Sequence, residues 1–187
     1  MKKQRIIAIL GLPGSGKSVA INHIMKKYDW TKIYFGEVTF EEMKRLGLKI
    51  NEKNERMIRE GLRKKFGELC YVKRVAEKIL RLDQTPIILL ESLYSWTEYL
   101  FLKNKFGENL KTIAIYASPK KRYVRLKNRK IRPLNFEEAR SRDYSQIENL
   151  SQAGPIAMAD YLLINEGSKK ELYSKIDGMI KNDLHIV

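Results

Sequence analysis

Four short, nearly unbroken apolar runs punctuate the chain: IIAIL (6–10), PIILL (86–90), TIAIYA (112–117) and YLLI (161–164). Runs of this length with no polar alternation fit strands covered on both faces of a parallel sheet. KIYF (32–35) is a weaker run of the same kind and falls between the first two. Between the runs the apolar spacing is helical, as in SVAINHIMKKY (18–28). In SPKKRYVRLKNR (118–129), Ser118 can accept the orphan amides of a helix start, and Pro119 sits where its missing N–H costs nothing. TFEE (39–42), NFEE (135–138) and SKKE (168–171) read as capping boxes, each a cap residue with Glu three positions on. Strands alternating with helices predict one α/β domain over residues 1–187, a five-stranded parallel sheet between helical layers with right-handed crossovers. The interval from about 39 to 83 is charged, mostly helical and too long for a simple crossover. It predicts a helical substrate-binding insertion.

Composition narrows the classes. A chain of 187 residues with 43% hydrophobic and 32% charged positions can bury a full core. The longest apolar runs are about five residues, too short to span a membrane. The basic start MKKQR leads into an apolar run that ends at once in Gly-Leu-Pro-Gly, which suits a first strand rather than a secretory signal. Cys70 is the sole cysteine, so no internal disulfide is expected and a cytoplasmic location fits. The formal net charge of +15 points to nucleic acid, an anionic surface or a strongly anionic small substrate, or to a Lys-rich composition with no functional meaning.

The chemistry concentrates first in GLPGSGKS (11–18), which follows the first predicted strand and opens the first predicted helix. It matches G-x-x-x-x-G-K-[ST] at Gly11, Gly16, Lys17 and Ser18. Glycines let backbone amides converge on phosphate oxygens, and the helix start adds its positive end. Lys17 is expected on the β- and γ-phosphates and Ser18 on Mg²⁺, with Gly14, Ser15 and Val19 completing the nucleotide-binding set. N-K-x-D, T-K-x-D, D-x-x-G and L-S-G-G-Q are all missing, which favours ATP over GTP and argues against switch and transporter classes. His23 and His185 are far apart and lack partners at metal-ligand spacing, so zinc is not expected.

With the loop, two later blocks resemble the nucleotide-kinase branch of phosphate-loop proteins: dephospho-CoA kinases, adenylate kinases, and archaeal kinase-like proteins of unassigned function. The first is ASPKKRYVRLKNRKIRPLNFEEARSRDYSQ (117–146), where Lys120 to Arg132 contains no acid and Arg122, Arg125 and Arg129 are spaced so that successive pairs share a helix face. The resemblance implies a lid over about 127–142, with Arg125 and Arg129 above ATP and Arg142 on the returning helix. A solvated basic face or a nucleic-acid patch is the alternative. The second block, MADYLLINEGSKKEL (158–172), is similar to the close of dephospho-CoA kinases and implies Asn165 and Gly167 beside the adenine. A plain strand-to-helix turn is the alternative there.

Two acids carry the expected catalytic role. Glu91 stands where relatives usually have Asp followed by Gly, and Glu37 stands where relatives often carry Asp near the acceptor. Either can orient the acceptor, and Glu91 can also hold Mg²⁺ through water. Relatives tend to have Arg three residues past the strand-end acid, where this chain has Tyr94, while Trp96 reads as core. Arg56, Arg59 and Arg63 share one helix face in the insertion, and the resemblance points Arg56 and Arg63 toward an acceptor phosphate. The expected function is ATP-dependent phosphoryl transfer to a small anionic acceptor of dephospho-CoA or nucleoside monophosphate type. A nucleic-acid-associated ATPase or switch is the alternative, and a polynucleotide 5′-kinase would combine the two.

Overall fold

The computed structural model describes residues 4–130 and 133–186, with the side chains of Glu52, Lys53 and Arg56 outside the described set. Five strands, β1 (Arg5–Leu10), β2 (Thr31–Tyr34), β3 (Ile87–Glu91), β4 (Leu110–Tyr116) and β5 (Tyr161–Ile164), form one sheet in the order β2-β3-β1-β4-β5. Every pairing is parallel, with Ile9 opposite Glu91, Leu10 opposite Ala114, Tyr34 opposite Glu91 and Tyr116 opposite Ile164. All five carboxyl ends therefore lie along one edge, where the loops that follow them gather.

The central strands are apolar on both faces because both are covered. On one face Ile7, Ile9, Leu89, Ile113, Ile115 and Leu163 pack with α1 (Lys17–Lys27) and α9 (Lys169–Asn182). On the other, Ile6, Ala8, Leu10, Ile88, Leu90 and Ala114 pack beneath α2 (Glu37–Arg45), α3 (Glu52–Phe66), α4 (Cys70–Arg81) and α5 (Trp96–Phe106). The interval expected to be a helical insertion is therefore three helices, of which α4 carries the longest buried apolar stripe. Beyond the carboxyl edge, α6 (Pro119–Lys127) meets α7 (Phe136–Leu150) through Tyr123, Leu126 and Ala139, and α8 (Ala153–Ala157) returns the chain to β5.

The caps at Asn135 and Ser168 are formed reciprocally with Glu138 and Glu171. Thr39 is not a cap. Helix α2 begins two residues earlier, and the Thr39 hydroxyl is buried against the Tyr71 hydroxyl at 2.8 Å. Ser118 does occupy the cap position before Pro119, but its hydroxyl donates to Glu166 at 3.1 Å instead of capping α6. A further capping box, Ser95 with Glu98, starts α5. Helix α6 ends at Lys127 with Asn128 as its cap, so Arg129 does not continue the Arg122–Arg125 face.

Candidate functional site

The loop between β1 and α1 is shaped by close approaches. Gly11 has φ 138° and Gly16 has φ 112°, both in the region that favours glycine. A Cβ at Gly11 would strike the Ile115 carbonyl, and one at Gly16 would strike the Asn165 side chain. Among the described residues no side chain caps the first turn of α1, and no acid occupies it. Its amides are left for an outside acceptor, the arrangement that suits a phosphate.

Lys17 folds back over this loop and donates to the carbonyls of Gly11 at 2.6 Å and Leu12 at 3.1 Å. Its pKa is pushed down to about 7, first by burial, then by the charges of Arg129, Arg142 and Arg122, with Glu91 opposing them. The loop itself is held from outside. The buried Arg122 guanidinium donates to Pro13 O at 3.1 Å and to Ala117 O at 2.9 Å, and forms a paired contact with the buried Asp143 carboxylate at 2.8 and 2.7 Å. Tyr123 donates to the same carboxylate at 2.9 Å. Asn165 Nδ2 donates to Ser15 O at 2.7 Å, while Asn165 O accepts from Arg125 Nη2 at 2.9 Å. Arg125 also reaches Gly167 O at 3.3 Å.

A cavity of about 530 Å³ opens beside the loop. Gly14, Gly16, Lys17, Ser18 and Val19 form its floor. Arg125, Arg129 and Arg142 enter from the α6–α7 side, and Asn165, Gly167 and Lys169 from the turn after β5. The wall contains five cationic side chains and, among the described residues, no Asp or Glu. Gly11 and Ser15 lie behind the floor, both buried. Tyr94 also lines the cavity, and its hydroxyl lies 3.0 Å from Ser92 Oγ. Ser92 has φ 74°, a left-handed conformation strained for a side chain.

The remaining expected residues lie outside this wall. Glu91 ends β3 on the face of Leu89, which α1 covers, and its carboxylate pairs with Lys32 Nζ at 2.9 Å. Glu37 opens α2 and pairs with Lys78 at 3.1 Å, a lysine it shares with Glu41 at 2.6 Å. Arg63 lies over the Tyr71 ring, 5.3 Å from its centroid, and its charge partly offsets the burial that raises the Glu98 carboxyl. Arg56 falls outside the described side chains. Tyr34 stands near the same edge, its phenol pushed up by burial and then by Tyr94, Glu91 and Glu55 against Arg59. Trp96 stacks on Tyr99 with centroids 5.2 Å apart and packs against the main core, as the sequence led one to expect.

Two supports of the loop carry little sequence signal. Arg122 stands in a run of cations and differs from its neighbours only by packing. Gln152, which is 1% exposed, donates from Nε2 to Gly11 O at 3.1 Å. Among the described residues no cluster of three or more His, Cys, Asp or Glu could hold a metal, and no helix is long and apolar enough to cross a membrane.

The AAA domain family matches residues 10–151, a stretch that starts at the end of β1, contains the whole phosphate loop and runs through α7. The chain belongs to the AAA domain family. Relatives of this AAA domain include a UPF0200 protein of Hyperthermus butylicus, 32% identical over 89% of this chain and 88% of its own length. A UPF0200 protein of Thermococcus gammatolerans is 28% identical over 94% of both. The fold is that of phosphate-loop kinases. TT1252 of Thermus thermophilus superposes with a TM-score of 0.65 at 22% identity over 98% of both chains. A shikimate kinase of Bacteroides thetaiotaomicron gives 0.62 at 13% identity, covering 97% of this chain and 99% of its own.

Proposed function

We propose that the protein transfers the γ-phosphoryl group of ATP to a small anionic acceptor of dephospho-CoA or nucleoside monophosphate type. The acid-free cationic wall around a glycine loop carries this reading. Charge spread over a transferring phosphoryl group is stabilised by such a set, and acids would oppose it. The loop fits the triphosphate because its glycines stand where a side chain would clash and let the backbone approach a phosphate closely.

In this reading Lys17 leaves the loop carbonyls for the β- and γ-phosphates, Arg125 and Arg129 lie over ATP and exclude water, and Arg142 faces the phosphates from α7. Asn165 and Gly167 flank the base. Ser18 and Glu91 would hold Mg²⁺, which neutralises phosphate charge when bound. Glu37 or Glu91 orients the acceptor. The acceptor oxygen bonds to the γ-phosphorus as the bond to the ADP oxygen breaks, and ADP leaves with that electron pair. Arg56 and Arg63 serve the acceptor phosphate in this scheme, and the stacking of Arg63 on Tyr71 requires it to swing to do so.

ADP formation from Mg²⁺-ATP, measured with dephospho-CoA, nucleoside monophosphates and 5′-hydroxyl RNA, tests this. Stimulation by one small acceptor, lost in Lys17→Ala, is expected. Acceptor-independent hydrolysis, or hydrolysis stimulated by RNA alone, would replace the kinase with an ATPase or switch.

A further inference from the structure

The carbonyl of Gly11 accepts from two donors of different kinds. One is the Lys17 ammonium at 2.6 Å, on a long side chain. The other is Gln152 Nε2 at 3.1 Å, on a side chain held almost completely inside the protein. A carbonyl has room for both, one on each lone pair. Lys17 also bonds the Leu12 carbonyl at 3.1 Å. If the lysine leaves for a phosphate, water can replace it on the partly exposed Leu12, whereas Gly11 is buried. A buried carbonyl without a donor is costly, so the lysine is free to move only if another donor stays.

We propose that Gln152 is a positioning residue of the phosphate loop: it keeps the Gly11 carbonyl satisfied when Lys17 departs, which lowers the cost of moving the lysine to a nucleotide. The inference rests on the nucleotide reading above. Stability does not account for a glutamine here. Gln152 Oε1 is shielded from solvent and has no partner among the described residues, a defect an apolar side chain of the same length would remove. The residue sits at the junction of α7 and α8, after Ser151 in a left-handed turn and with its backbone N–H on Gln146 O at 3.2 Å. That turn aims the amide at the loop from the helix that also carries Arg142.

Gln152→Met keeps length and flexibility and removes both polar atoms. Calorimetric titration of the full chain with Mg²⁺-ADP is expected to give binding about tenfold weaker than wild type, with the thermal midpoint unchanged or higher. Unchanged affinity overturns the proposal. So does weaker binding accompanied by a midpoint several degrees lower or by failure to fold, because a plain structural pin would give that result. If wild type itself does not bind Mg²⁺-ADP, the nucleotide reading fails and the proposal that rests on it falls with it, whereas equal affinity of Gln152→Met and a binding wild type overturns the proposal alone.

Discussion

The ammonium of Lys17 lies within the fields of Arg122, Arg129 and Arg142, and burial removes the water that would screen them. The charged form is penalised in the folded protein and not in the unfolded one, whose lysine titrates near 10.5. Between about 7 and 10.5 the unfolded chain binds more protons, so this group makes stability rise with pH across that window. Below about 7 the penalty is complete. Lys17→Met removes it. Urea unfolding is expected to show the variant about 1–3 kcal/mol more stable at pH 6, an advantage that shrinks toward pH 10, even though nucleotide binding is lost. Lys17 and its glycines were legible because the motif fixes both identity and spacing. The left-handed Ser92 and the buried Gln152 were not, since each owes its role to a backbone angle or a distant contact that the local pattern does not encode.

At the scale of elements, α6 and α7 are joined to the loop by one buried ion pair. Arg122 and Asp143 are 4% and 5% exposed at the side chain, and the same guanidinium donates to Pro13 O. Asp143→Ala would leave that cation enclosed without its partner, and unfolding in urea is expected to register a loss of about 3–5 kcal/mol. Nucleotide affinity is expected to fall with it, because Pro13 loses a fixed donor. The sequence displayed this region as an acid-free basic stretch and so favoured a single arginine-bearing face. It could not separate the buried Arg122 from the half-exposed Arg125, nor place the helix end before Arg129, because cations in a run look alike until packing selects among them. Caps were more readable where the acid three residues on reached back, as at Asn135 and Ser168. Thr39 met the same pattern but found a tighter partner in Tyr71.

Across the whole molecule, unbroken apolar runs announced strands covered on both sides, and the five runs correspond to the five strands within a residue or two. Which helix covers which face was not readable, because an amphipathic stripe states that it needs a partner without naming it. The outcome divides labour: α1, which follows the phosphate loop, packs on one face, and α2 to α5 pack on the other. Cys70, the only thiol in the chain, is 5% exposed at the start of α4 on that second face. An alkylating probe in solution can meet this sulfur only in molecules where the start of α4 has momentarily parted from its packing. Labelling of the native protein should run at least about a hundredfold slower than in urea, and its rate is a clock for that parting, wound into the chain without any added label.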